Sequence, residues 1–111
     1  MTAKLVKLGG GLLLALLAQN VMAQDISLGR MKAQRCSGCH GPLGLAVAPN
    51  APNLAGEASL YIEMQLRAFR SGDRLHDQMT IVASRLSDED IADLAAWFQA
   101  IQVVATAPDL N

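Results

Sequence analysis

Cys36-Ser37-Gly38-Cys39-His40 is the stretch whose reading decides how this chain folds. Two cysteines at i and i+3, followed at once by a histidine, form the attachment pattern of a c-type haem. The spacing follows from the chemistry. Each thiol adds across one vinyl group, so Cys36 and Cys39 must reach two neighbouring corners of one flat macrocycle. Two residues between them, on a tight helical turn, supply that reach. His40, next in sequence, can then offer its imidazole to the iron from the proximal side.

Two other chemistries use a Cys-x-x-Cys pair. A dithiol redox enzyme carries it just after a strand, near a βαβ pattern, and no such pattern is visible here. A zinc site could be assembled on paper from Cys36, Cys39, His40 and His76, but it would need the sequence neighbours Cys39 and His40 on one tetrahedral ion. The chain contains two cysteines in all, and both lie in the motif. Haem is the favoured reading.

Working outward, the N-terminus reads as an export signal. Lys4 and Lys7 form a positive n-region, Leu8 to Ala18 an apolar h-region, and Val21-Met22-Ala23 a small-residue cleavage site. The apolar run of 11 residues is short of the roughly 20 that a membrane-spanning helix needs, so cleavage after Ala23 is expected and stable membrane insertion is not. Export agrees with the haem reading, because in bacteria thioether attachment takes place outside the cytoplasm, where a free thiol pair would tend to oxidise. The expected location is the periplasm.

Removing 23 residues from 111 leaves an 88-residue domain, 24–111. A domain of that size buries a modest share of its surface. Its aromatic residues are Tyr61, Phe69, Trp97 and Phe98, and a buried macrocycle would supply the missing apolar mass. Loss of Lys4 and Lys7 takes the charge from −1 to seven basic against ten acidic residues, or −3. Bulk charge therefore argues against a nucleic-acid partner.

The patterning is all-α, with no strand-like alternation. A first helix is expected from Leu28 to about Ser37, with Ser27 as N-cap. Residues 41–56 hold Gly41, Pro42, Gly44, Pro49, Pro52 and Gly56 and read as a loop. Ile62, Leu66 and Phe69 repeat at helical spacing in a second helix, about Ser59 to Arg70, stopped by Ser71-Gly72. A short helix is expected over Thr80 to Arg85. The last helix opens with Ser87-Asp88-Glu89-Asp90, a capping box with Asp90 at N3, and carries Ile91, Leu94, Phe98 and Ile101 on one face. The residues after Ile101 read as a frayed tail.

A haem held by His and Met is the arrangement of electron-carrier cytochromes. The candidates for the sixth ligand are Met31, Met64, Met79 and His76. Met31 precedes the motif on the same helix and cannot reach the opposite haem face. Met64 sits in an amphipathic helix and reads as core filler. Met79, in a loop about forty residues after His40, lets the chain wrap round and return on the distal side. It is preferred, ahead of His76 and of an open site.

The sequence from Gln24 to Ile101 resembles a class I cytochrome c, of the short bacterial monohaem type and of the single-haem halves of dihaem periplasmic cytochromes. The resemblance rests on Cys-Ser-Gly-Cys-His-Gly at 36–41, Pro-Asn-Leu-Ala-Gly at 52–56 and Tyr-Ile-Glu-Met-Gln-Leu-Arg-Ala-Phe-Arg-Ser-Gly at 61–72. It continues through Met79 and Leu-Ser-Asp-Glu-Asp-Ile-Ala-Asp-Leu-Ala-Ala-Trp-Phe at 86–98. It implies a small all-α fold around one covalent haem c at Cys36 and Cys39, with His40 and Met79 as axial ligands. It also implies that the Pro52 carbonyl accepts a hydrogen bond from the His40 ring, and that Gly29 lies close to the Leu94–Trp97 region. Trp97-Phe98 stand where the family often has Tyr.

The function so implied is outer-sphere transfer of one electron by a carrier that is not itself an enzyme, through an exposed haem edge near the thioethers, between redox partner proteins. The alternatives are the haem subunit of a larger oxidoreductase, for example with a sulfide-oxidising flavoprotein, and an enzyme with an open haem face. Two basic groups, Arg30/Lys32/Arg35 and Arg67/Arg70/Arg74, could serve a partner, although solvated helix faces are the commoner use of such residues.

Overall fold

Asp25, not Ser27, caps the first helix. In the computed structural model, which describes residues 24–110, the Asp25 carboxylate accepts from the backbone N–H groups of Ser27 and Leu28 at 2.8 and 3.1 Å. Helix α1 therefore spans Ile26–Lys32, beginning two residues before the expected start. The expected leader, residues 1–23, lies outside the described residues. The reason for the earlier start is long-range: the Asp25 N–H is itself held by Asp93 Oδ1, 2.9 Å away on the last helix.

From α1 the chain tightens through a 3₁₀ turn, Ala33–Cys36, into the short helix α2, Ser37–His40. The helical run thus goes three residues beyond the expected end and carries the whole haem motif. Gly41 ends it at φ 77°, in the left-handed region, where a Cβ would strike the Leu45 carbonyl oxygen. The following loop folds back on the motif: the N–H groups of Val47 and Ala48 donate to the Cys39 carbonyl at 2.9 and 3.1 Å.

Helix α3 spans Ser59–Ser71 and buries Ile62, Leu66 and Phe69, the stripe that the spacing predicts. Met64 falls on the other side of the helix and is 56% exposed. It is not core filler, because two residues on from Ile62 at about 100° each it faces away from the core. Helix α4 is Met79–Ala83, so Met79 opens this helix rather than ending the loop before it. Helix α5, Asp88–Ala100, has the expected capping box: Ser87 Oγ accepts from the Asp90 N–H at 3.0 Å, and Asp90 accepts from the Ser87 N–H at 3.1 Å. Its buried face is Ile91, Leu94, Ala95 and Phe98. Residues 102–110 form no regular element.

Helix α1 packs against α5, and α3 and α4 pack on the same core. The α1–α5 contact is very close. A Cβ on Gly29 would overlap the Asp93 carbonyl oxygen and come within 2.8 Å of Trp97 Cβ. Beside it, buried Asp93 accepts from Lys32 Nζ at 2.6 Å, and Lys32 also pairs with Asp90 at 2.9 Å. The described residues contain helices and loops and no strand, and none of these helices is long and apolar enough to cross a membrane.

Candidate functional site

The helices do not close on one another completely. Between α2, the loop after it, α3, α4 and α5 lies a cavity of about 580 Å³, within the range of about 300–1,000 Å³ usual for small-molecule and cofactor sites. Its walls are apolar, with Leu54, Ile62, Leu66, Phe69, Leu94 and Phe98 among them. All five residues singled out in the sequence, Cys36, Cys39, His40, Pro52 and Met79, line it. An apolar hollow of this size in the middle of a small core is destabilising unless something fills it.

His40 is buried at the end of α2. Its Nδ1 lies 2.9 Å from the Pro52 carbonyl oxygen. A carbonyl can only accept, so Nδ1 is the donor, and in the neutral imidazole Nε2 then keeps its lone pair, the state in which an imidazole binds a metal. Asn53, which the sequence reading passed over, fixes the same loop by accepting from the Ala46 N–H at 2.8 Å. Its place between Pro52 and Leu54 was the available signal.

Met79 is half-buried and packs on the core. His76 is exposed, and its Nδ1 accepts from the N–H groups of Gln78 and Met79 at 3.2 and 3.3 Å. With Nδ1 engaged as acceptor, the proton of a neutral His76 sits on Nε2, leaving no ring lone pair for a metal. His76 serves instead as a cap for α4, its ring edge-on to Phe69 at 6.2 Å. Met31 and Met64 are exposed and do not line the cavity.

Cys36 and Cys39 are half-buried in the cavity wall. Burial pushes the Cys36 thiol above its ordinary value, with Arg35 opposing. That is the opposite of an activated dithiol, whose attacking cysteine is held as thiolate. Cys36, Cys39, His40 and His76 all line the cavity, but among the described residues no three His, Cys, Asp or Glu side chains converge as a metal site. Two thiols, one imidazole with a free Nε2 and apolar walls suit a flat, apolar, metal-bearing macrocycle.

Most members of the two basic groups are engaged by other side chains of the chain itself. Lys32 is engaged by Asp90 and Asp93. Arg67 and Arg70 both hold Asp88, and Arg70 also donates to the Leu86 carbonyl at 3.0 Å. Arg30 lies over the Trp97 ring at 5.9 Å. These four are ion-paired or stacked, so neither group acts as a continuous collar. Arg35 and Arg74 line the cavity.

The all-α fold around this cavity defines a class I c-type cytochrome. The cytochrome c family profile matches residues 29–102, and the chain belongs to that family. Its cofactor is covalently bound haem c. The chain is 43% identical over 79 residues to cytochrome c-554(548) of Halomonas halodenitrificans, covering 68% of this chain and 95% of that protein. It is 38% identical over 89 residues to cytochrome c4 of Pseudomonas aeruginosa, covering 80% of this chain and 44% of that one. The chain thus spans less than half the length of the c4 relative. The crystal structure of reduced cytochrome c4 from Pseudomonas stutzeri superimposes with a TM-score of 0.67 at 35% identity, covering 72% of this chain and 47% of that chain.

Proposed function

We propose that the protein is a periplasmic carrier of single electrons, exported by the leader 1–23 and working as the domain 24–111. In this reading Cys36 and Cys39 would hold one haem c through thioethers, and His40 and Met79 would be the protein ligands of its iron. The haem supplies the redox chemistry, one electron at a time between the ferric and ferrous states. The observation that carries the reading is that His40 and Met79, 39 positions apart, line one cavity together with both cysteines.

The protein's own groups prepare the site. The Pro52 carbonyl, by accepting from Nδ1, holds the His40 ring in one orientation and raises its basicity, as outer partners of metal-bound histidines do. His76 pins the first turn of α4 through the Met79 N–H, which fixes the backbone of Met79 at the cavity wall. Held by His40 and Met79 together, the iron would have no position left for water or small ligands. The partners are a donor and an acceptor protein.

The test is spectroscopic. The matured protein is expected to show the far-red sulfur-to-iron band of the ferric state, and Met79→Ala is expected to lose it and to bind carbon monoxide rapidly when reduced. Retention of the band in the variant would remove Met79 from the role. Mass spectrometry of the exported protein is expected to give a chain starting at Gln24 plus one haem. Native size exclusion should give a monohaem protein running alone; co-elution with a flavoprotein or another redox enzyme would replace the free carrier by a haem subunit.

A further inference from the structure

Position 24 becomes the first of the working chain once the leader is removed after Ala23, and it is a glutamine. In the precursor its nitrogen is an amide tied to Ala23. Cleavage turns that nitrogen into an α-amine. Such a group titrates at about 7.7–8.0, so at neutral pH part of it is the unprotonated nucleophile. A terminal glutamine also carries its own electrophile, the side-chain amide carbon Cδ, within reach of the amine.

The structure leaves this residue free to react. Gln24 is exposed and precedes α1. Its Nε2 makes a long surface contact with Glu63 Oε1, at 3.4 Å. The fold takes hold at the next residue: the Asp25 N–H donates to Asp93 Oδ1 at 2.9 Å, and the Asp25 carboxylate caps α1. The two atoms that would join both lie outside that anchor, so their union disturbs neither the cap nor the bond to Asp93.

We propose that Gln24, once its α-amine is released, closes on its own side-chain amide to give the chain a pyroglutamyl end. The α-nitrogen forms a bond to Cδ, the Cδ–Nε2 bond breaks, and Nε2 leaves as ammonia with the proton that the α-nitrogen gives up. Nothing is oxidised or reduced, and no co-reactant is consumed. The lactam removes the terminal charge and leaves no free amine for an aminopeptidase to hold. The end of the chain therefore stays one residue outside the Asp25–Asp93 bond. The inference rests on the reading that the leader ends at Ala23.

The experiment reads the exported holoprotein, held at neutral pH, by intact mass and by stepwise Edman sequencing. The parent is expected to weigh one ammonia less than an open chain from Gln24 with one haem. It should give no sequence, and should sequence from Asp25 after unfolding and treatment with pyroglutamyl aminopeptidase. Gln24→Ala is expected to keep its open-chain mass and to sequence directly from residue 24. An open parent chain beginning at Gln24, unchanged by the incubation, would overturn the cyclisation and leave the leader reading intact. Loss of ammonia in Gln24→Ala as well, or in a parent that still sequences, would place the loss on another side chain and equally overturn it. A chain beginning anywhere but Gln24 would overturn the leader reading, and this inference with it.

Discussion

Gly29 and Asp93 sit at one contact, and each answers to a different kind of substitution. Gly29→Ala puts a methyl group into the Asp93 carbonyl and the Trp97 side chain. Neither can yield without parting α1 from α5, so the variant should lose about 2–4 kcal/mol, read as a lower urea midpoint of the holoprotein. Asp93→Ala removes the acceptor of the Asp25 N–H and one of the two partners of Lys32. Lys32 is partly exposed and keeps Asp90, so no buried charge is left unpaired, and the lost hydrogen bonds should cost about 1–3 kcal/mol by the same measurement. At this scale the attachment motif was legible because its chemistry is complete within five residues. The closeness of Gly29 to the last helix came from family resemblance rather than spacing. Asp93 was not legible at all: an aspartate amid a helical pattern reads as surface, and only Asp25 and Lys32, more than sixty positions away, show why it is buried.

Among the elements, α5 was read most completely, because its start is encoded within four consecutive residues. Ser87→Ala should remove the Oγ acceptor of the Asp90 N–H and cost about 1 kcal/mol in thermal or urea unfolding, without altering the visible spectrum. The first helix was misread by two residues for a matching reason. Asp25 and Ser27 are both competent caps, and the choice between them is made by the bond from the Asp25 N–H to Asp93 on another helix. The start of α4 was placed within one residue, at Thr80 against Met79, but its cap was hidden, since His76 caps through its ring nitrogen and histidine is not among the residues that announce a helix start. The sequence favoured a solvated helix face over a partner surface for the basic residues of α3, but it did not show Asp88 folded between Arg67 and Arg70.

For the whole molecule, an apolar cavity of about 580 Å³ left for the cofactor predicts that folding depends on the cofactor. Produced without haem attachment, the chain should show weak helical circular dichroism and no cooperative thermal transition; a cooperative transition like that of the holoprotein would contradict this. The charges set a pH window. A hydrogen bond from Lys32, then one from the Ser87 N–H, holds the Asp90 carboxyl below its ordinary 3.8, and Arg70 does the same for Asp88. Groups lowered on folding stabilise fully above their unfolded values and cease to do so as the pH falls through the folded ones. Lys32 is raised above 10.5, first by Asp93 and then by Asp90; its contribution is full below the unfolded value and is lost as the pH rises through the folded one. The urea midpoint should therefore be level between these limits and fall on both sides, and Lys32→Met should blunt the alkaline fall.

The Asp25–Asp93 bond ties together positions 68 apart in sequence, nearly the whole domain. Because closing a flexible loop becomes only about 0.6 kcal/mol costlier with each doubling of its length, so distant a meeting can come early in assembly. If the terminal helices dock first, they form a clasp that sets the span of the hollow and presents both thiols on one helical run before any thioether exists. The haem-attaching machinery would then meet a pre-shaped mould rather than a loose peptide. Pulsed hydrogen exchange would show the order of events: early protection in α1 and α5, with α3 and α4 following only after attachment.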